Sequence, residues 1–560
     1  MNKIFFFLLS VFSFFSILPL LGREYFPMHD DTQVARVIAM STALRDGMFP
    51  VRWVDILGYG YGYPIFNFYA PLAYYVGGTL HLLGIPPVAA TKIMFGIGML
   101  AAGLSMYLLA KEFWGELGGL LSALLYLYAP YHAVNLYVRG AIGELWAYGL
   151  IPLVFLGFYK LFSAIQSEDK RKIWYWIGIS GFAYAALILS HNLTAFIVTP
   201  FLVILIILFC IVLKRQHISF VHLIYAFCFG LLFCAFYWLP AILELSYTNV
   251  GSILGGGSNP IDHFVCLSQL WASNWGFAGS APGCIDGMSF MIGKMHIILA
   301  LGSFFAALFW KKRVKKNIFF ILFIGLVLSV FLMLSISRSF WEGFPLMMYI
   351  QFPWRYLTMA SFFSSLLSGG ILFILLSSVN LDYFKKVILG VFIGLLIIFI
   401  YGKFFVPQYK INDITRYSNI DFIRWNVSKI SDEYLPSDFK KPENISDLPQ
   451  SILEFIKGSG KIYVDRKTTT HLLASIVVSN DAVIRIQRAY FPAWRIVING
   501  VEKTPIIKNG VYYLNLPSGD YRLEMSFVQT PIERVANSLT LLGIFLFIAG
   551  IIYAHRKVLK

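Results

Sequence analysis

Charge is what this 560-residue sequence has least of: Asp, Glu, Lys and Arg make up 13% of it, against 58% hydrophobic residues. A soluble domain carries about a quarter charged residues. This composition, with a mean hydropathy of +0.70, therefore excludes a water-soluble globule and leaves a membrane protein. The runs rich in Leu, Ile and Phe are continuous rather than alternating, which excludes an outer-membrane barrel and makes the spans helices. Acid is scarcer than base, 29 residues against 45, for a formal charge of +16. Such an excess can mark nucleic-acid binding, but the basic residues sit in short connectors between apolar runs: Lys170-Arg171-Lys172, Lys214-Arg215, Lys311-Lys312-Arg313 with Lys315-Lys316, Lys385-Lys386 and Arg556-Lys557. That is the positive-inside pattern, and no nucleic-acid partner is expected. Cysteine is rare as well, five in all. Cys210, Cys228 and Cys234 lie in apolar runs and read as small buried hydrophobes. Cys266 and Cys284 share one polar, Gly-rich loop; they pair if that loop faces an oxidising compartment, and two free thiols fit the sequence as well.

Apolar runs at about 3–21, 88–110, 117–134, 141–163, 173–190, 193–213, 220–240, 295–310, 317–335, 356–379, 387–405 and 536–554 give twelve expected transmembrane helices. The first has Lys3 before its apolar core and no clear small-x-small cleavage site, so it is expected to stay attached. With Lys3 in the cytoplasm, every basic cluster above falls on the cytoplasmic side, and both termini lie there. This is the topology of a multi-pass plasma (inner) membrane protein. The stretch from Pro71 to Ile85 is short and ends at Pro86-Pro87, which suits a helix at the outer interface better than a crossing.

The expected fold is thus an α-helical polytopic unit over residues 1–405, with extracytoplasmic loops at 22–87 and 241–294. An extracytoplasmic mixed and β-sandwich domain follows at 406–535, and a last helix with a cytoplasmic tail at 536–560. The β reading comes from alternation in Val483-Ile484-Arg485-Ile486, Arg495-Ile496-Val497-Ile498 and Tyr521-Arg522-Leu523-Glu524-Met525, with Asn499-Gly500 and Asn509-Gly510 as hairpin turns.

Ionisable and polar residues gather at the outer ends of the spans: His29, Asp30, Asp31, Arg36, Arg139, Glu144, His191, Asn192, Arg338, Glu342, Gln351 and Arg355. The middles of the spans are nearly free of ionisable groups. Arginines at an interface can grip a lipid-borne phosphate in forked hydrogen bonds and stabilise charge as it leaves. A carboxylate opposite can take a proton from an acceptor hydroxyl, and Asp30 or Asp31 suits that task. A plainer reading competes, because residues 30–47 look like an amphipathic helix for which Asp31 could be the N-cap. His29 and His191 could ligate a metal or bind phosphate, or simply bond to backbone. A divalent cation would need further ligands that nothing at close spacing supplies, so cofactors stay open. The run from Gly58 to Tyr69, with Tyr61, Tyr63 and Asn67, offers aromatic faces for sugar rings or acyl chains, or an interfacial belt. The sequons at Asn192, Asn426 and Asn444 carry little weight.

The stretches "MHDDTQVARV", "LRDGMFPVRWVDILGYGYGYPIFNFYAPLAYYVGG", "YVRGAIGELWAYGLIPLVF", "LSHNLTAF", "QFPWRYL" and "YFPAWRIVINGVEK" together resemble the prokaryotic multi-spanning proteins labelled 6-pyruvoyl-tetrahydropterin synthase-related. These are similar to GT-C class glycosyltransferases. The pterin synthase of that label is a soluble zinc enzyme with a histidine triad, which these loops lack. The resemblance implies an inverting transfer of a hexosyl or pentosyl group from a polyprenyl-phosphate sugar donor on the outer face. The acceptor would be a glycan, lipid or protein, and membrane lipids would surround the spans. It implies an essential acidic residue in the first outer loop, here the pair Asp30 and Asp31. His29, Arg36, Arg52, Tyr61, Tyr63, Asn67, Arg139, Glu144, His191, Arg338, Gln351 and Arg355 are the expected substrate contacts. Two other readings stand beside it. A lipid-linked sugar translocase would show midplane ionisable residues or internal repeats, and a non-catalytic scaffold would tolerate loss of both acids.

Overall fold

The computed structural model describes residues 3–212, 220–253, 258–310, 313–377, 379 and 381–556. Lys214-Arg215, Lys311-Lys312 and Lys557 lie outside the described residues. The helices that matter below are α1 (Lys3–Ile17), α2 (Gln33–Arg45), α3 (Leu72–Leu82), α4 (Pro87–Leu127), α5 (Pro130–Tyr137), α6 (Ile142–Gln166), α7 (Lys170–Ser190), α8 (Asn192–Val212), α9 (Phe220–Phe233), α10 (Ala235–Leu243), α11 (Lys294–Leu308), α12 (Arg313–Met333), α13 (Leu357–Leu376), α14 (Tyr383–Tyr401) and α15 (Pro531–Arg556).

Among the described residues nine helices are long and apolar enough to cross a membrane, or ten if α9 and α10, bent by 74° at their junction, form one span. Twelve were expected, and the difference has two further sources. The 41-residue α4 contains two of the expected runs, and α11, at 15 residues, is short for a crossing. In α4 the helical geometry breaks at Gly115, where φ is +74° and ψ −176°, a conformation that glycine adopts without a Cβ penalty. A Cβ on Gly119 would touch Lys111, and one on Gly103 would touch Leu127. Residues equidistant from Gly115 are therefore neighbours, and the two halves run antiparallel as a tight hairpin. Pro130 at the first turn of α5 restarts the second arm, because its missing N–H costs nothing there.

The first loop is a packed layer. α3 lies on α2 through Gly77 and Gly78, which leave room for Val37 and Met40. Leu72–Leu82 is thus a short helix that is not among the candidate spans. Cys266 and Cys284 are disulfide-bonded, with Cα atoms 5.5 Å apart. Cys210 and Cys234 are buried, whereas Cys228 is exposed on α9. That corrects its reading as a core residue: on a membrane helix an apolar face can point to lipid.

Seven strands form the C-terminal antiparallel half-barrel: β1 (Leu453–Lys467), β2 (His471–Ala489), β3 (Trp494–Ile498), β4 (Val501–Glu502), β5 (Ile506–Lys508), β6 (Val511–Leu516) and β7 (Gly519–Phe527). The 19-residue β2 pairs along one edge with β1; along the other it pairs with β7 over residues 471–478 and with β6 over 482–489. The sheet is thus one continuous surface folded over Leu472, Ile476, Ile484, Ile486, Leu514 and Leu523, all buried. Asn499-Gly500 and Asn509-Gly510 close hairpins with positive φ at both residues, as a two-residue type I′ turn needs. The sheet seats on the first loop: Arg488 pairs with Asp55 at 3.2 Å, Thr469 donates its N–H and hydroxyl to Asp46 at 2.6 Å, and Trp53 meets Trp494 edge to face at 5.4 Å.

Candidate functional site

The backbone N–H groups of His29 and Asp30 donate to the carbonyls of Val138 and Arg139 at 3.0 and 2.9 Å. This lays the first loop along the turn between α5 and α6. Gly140 allows the approach: its φ is +64°, and a Cβ there would collide with the Met28 side chain. The carboxylate of Asp30 makes no hydrogen bond or ion pair among the described residues, and the residue is half-buried.

Behind that turn lies a buried polar cluster. Arg139 Nη1 donates to Glu144 Oε2 at 2.7 Å, to Asn135 Oδ1 at 2.5 Å and to the Tyr131 hydroxyl at 3.2 Å, and the guanidinium lies 4.7 Å above the Trp354 ring. Glu144 Oε1 accepts from the Tyr131 hydroxyl at 2.5 Å and from Thr358 Oγ1 at 3.2 Å. Arg355 donates Nη1 to the Ile350 carbonyl at 3.0 Å and forms no ion pair among the described residues. Its Nε, together with Trp354 Nε1 and Asn135 Nδ2, is buried without an acceptor. Gln351, just before, is held at a φ of +67°, a backbone state that a non-glycine residue keeps only when its surroundings over-determine it.

His191 follows α7. Its Nδ1 accepts the Thr194 N–H at 3.2 Å, with Thr194 Oγ1 at 2.7 Å. Burial lowers its pKa to about 3, with Arg355 and Arg139 adding to the effect against Glu144. The ring is therefore neutral at ordinary pH, with its proton on Nε2, which has no partner among the described residues. The cluster thus holds more buried donors than acceptors, beside one unengaged carboxylate. Buried donors left unpaired cost about 1–3 kcal/mol each, and an anionic oxygen ligand would satisfy them.

The other expected residues divide. Asp31 is not the helix N-cap; Thr32 holds that position, without a side-chain cap bond. Instead the Asp31 carboxylate accepts from the Tyr417 hydroxyl at 2.8 Å and from Arg416 at 3.0 Å. Burial raises its pKa, opposed by those two partners. Arg52 and Asn67 belong to a second buried group, in which Arg52 bonds to Asn67, to the Phe236 carbonyl at 3.1 Å and to Asn537 at 3.0 Å, and lies 3.6 Å from Glu533. Asn67 Nδ2 donates to Glu244 at 2.7 Å. This group ties the first loop to α10 and α15. In the aromatic run, Tyr59, Tyr61 and Tyr63 pack against residues 424–439 rather than presenting free faces: Tyr63 is fully buried with its hydroxyl on the Ser431 carbonyl, Tyr61 meets Phe439 edge to face, and Tyr59 bonds to Asp432. Arg338 is exposed and paired with Glu342 one turn on, with no bond into the cluster. Arg36 anchors a separate group, described below. His29 Nε2 bonds to the Phe277 carbonyl at 2.7 Å, and among the described residues no three His, Cys, Asp or Glu side chains gather to hold a metal.

Tyr131, Asn135, Trp354 and Thr358 were not foreseen. The spacing of Tyr131 and Asn135, four residues apart on one face of α5 with Arg139 four further on in the turn, was the signal available for two of them. Arg416 and Tyr417 come from a segment with no motif of its own.

Parts of this chain are similar to known proteins. An uncharacterised protein of Lactococcus lactis subsp. cremoris is 27% identical over 185 residues, which are 32% of this chain and 29% of that protein. The apo oligosaccharyltransferase of Archaeoglobus fulgidus aligns over 72% of this chain and 56% of its own, with 13% identity and a TM-score of 0.38. The arabinofuranosyltransferase AftD from Mycobacteria aligns over 72% of this chain and 27% of its own, with 14% identity and a TM-score of 0.43. The chain thus spans less than two thirds of each relative. Residues 66–263, which carry Arg139, Glu144 and His191 but neither Asp30 nor Arg355, match the family described as 6-pyruvoyl-tetrahydropterin synthase related domain, membrane protein.

Proposed function

We propose that this membrane protein is a glycosyltransferase that takes a sugar from a polyprenyl-phosphate donor, on the extracytoplasmic face of the plasma membrane, with Asp30 as general base. The observation that carries this reading is the unengaged Asp30 carboxylate beside a cluster whose buried donors on Arg355, Trp354 and Asn135 lack acceptors. The ordered sequence motifs supply the sugar chemistry by resemblance. The donor's phosphate would sit against Arg355 and the neutral His191, while Arg139 is held by Glu144. Asp30 takes the proton of an acceptor hydroxyl as its oxygen attacks the anomeric carbon from the face opposite the phosphate. The bond from that carbon to the phosphate oxygen breaks, and the lipid phosphate departs with the electron pair, so configuration inverts. In this reading residues 1–405 are the membrane unit, 406–535 the extracytoplasmic unit and 536–560 the last span and tail.

The test is retention of polyprenyl phosphate by the purified full-length protein, read by native mass spectrometry. Charge-assisted bonds contribute about 1.5–3 kcal/mol, so Arg355→Gln is expected to weaken retention by roughly tenfold to a hundredfold. Equal retention by wild type and Arg355→Gln would rule the phosphate site out.

A further inference from the structure

Asp30 stands between two groups of side chains. Gln33 ties it to both: its Nε2 donates to the Asp30 carbonyl at 3.2 Å and to the Gly140 carbonyl, next to Arg139, at 2.9 Å, and its Oε1 accepts from the Tyr74 hydroxyl. The second group is built on Arg36, which is 3% exposed. Arg36 donates to the Tyr74 hydroxyl at 3.2 Å and to Ser431 Oγ at 2.7 Å, its guanidinium lies 4.3 Å over the Tyr69 ring, and its Nε has no acceptor. Ser431 Oγ donates in turn to Glu433 Oε1 at 3.2 Å. Tyr434 stacks on Phe68 with ring centroids 5.7 Å apart. Tyr69, Glu433 and Tyr434 are only half-buried, and Glu433 forms no ion pair among the described residues.

A buried guanidinium without a compensating charge is costly. Here Glu433 answers it through Ser431, so the Arg36 group balances one cation with one anion. It offers an unpaired N–H, a carboxylate oxygen and aromatic faces. A sugar complements that set, because its hydroxyls both donate and accept and its C–H face packs on aromatic rings. A phosphate would be repelled by Glu433, and an apolar acceptor would leave Arg36 Nε unpaired.

We propose that Arg36, Tyr69, Glu433 and Tyr434 form the acceptor site and that the acceptor is an uncharged sugar of a surface glycan. This rests on the glycosyltransferase reading: the glycan hydroxyl lies between this group and the donor, gives its proton to Asp30 and bonds to the anomeric carbon as the lipid phosphate leaves.

The test uses full-length protein in detergent and, as probe, glycan released from the surface of a strain lacking this gene, where unmodified acceptor accumulates. Binding is measured by equilibrium dialysis and polyprenyl-phosphate retention by native mass spectrometry in the same samples. Glu433→Gln and Tyr69→Ala are expected to weaken glycan binding at least tenfold with phosphate retention unchanged, and Tyr69→Phe to restore most of it. The proposal is overturned if wild type binds no released glycan, if the variants bind it normally, or if both ligands are lost together. A wild type that retains no polyprenyl phosphate but binds glycan would instead fault the donor reading.

Discussion

Glu144 is the acceptor on which the buried cluster depends. Glu144→Ala removes the partner of three donors at once: Arg139 Nη1 at 2.7 Å, the Tyr131 hydroxyl at 2.5 Å and Thr358 Oγ1 at 3.2 Å. Arg139 would keep hydrogen bonds only to Asn135 and Tyr131 and would remain a buried cation without an ion-pair partner among the described residues. Removing one member of a buried ion pair costs about 3–5 kcal/mol, so Glu144→Ala and Arg139→Leu are each expected to destabilise by roughly that amount. Replacing both, Arg139→Leu with Glu144→Leu, removes both charges. With Glu144→Leu also measured alone, so that the cycle closes, the double is expected to cost less than the sum of the two Leu singles by about 1–3 kcal/mol, because the two residues are in contact. The assay is reversible unfolding of the purified protein in mixed detergent micelles, run as a double-mutant cycle. Single costs under about 1 kcal/mol, or strictly additive effects, would refute the claim that this pair organises the cluster.

Tyr417→Phe removes a hydroxyl that meets both Asp31 oxygens, at 2.8 and 3.0 Å, and accepts from Arg416 at 2.7 Å; a loss of about 1–3 kcal/mol is expected in the same unfolding assay, and a smaller one in an Asp31→Ala background, where only the Arg416 bond is left to lose. His191 has a folded pKa near 3 against about 6.5 unfolded, so the unfolded chain takes up its proton first. Its contribution to stability is therefore complete above pH 6.5 and is lost as pH falls from there towards 3. His191→Gln is expected to flatten that part of the pH–stability curve, while donor retention between pH 7 and 8 stays constant. Reducing Cys266–Cys284, 18 residues apart, is expected to lower stability by about 3 kcal/mol, seen as a lower melting temperature in dithiothreitol.

Most of the helical layout was legible because hydropathy alone marks a helix that must satisfy its own backbone in lipid. The run boundary at 110–117 located the α4 hairpin, but only the left-handed Gly115 shows that two runs are joined without a loop. The Asn-Gly turns were legible because few residue pairs tolerate positive φ in sequence. In the site, Arg139, Glu144 and Arg355 were visible as charges in apolar surroundings. What the sequence could not separate was Asp30 from Asp31, because the partner that engages Asp31 comes from Arg416 and Tyr417, 385 and 386 residues away. The buried group around Arg52 and Asn67 was not legible for the same reason: their partners on and beside α10 and on α15 are long-range.

The most direct measurement is surface-glycan analysis of a deletion strain carrying wild type, Asp30→Asn or Asp31→Asn, with each protein confirmed at normal level in the membrane. Loss of one glycan with Asp30→Asn and its persistence, reduced or not, with Asp31→Asn is the expected result, since of the two it is Asp30 whose carboxylate is unengaged among the described residues. A glycan that survives Asp30→Asn would contradict the assignment of Asp30 as the base.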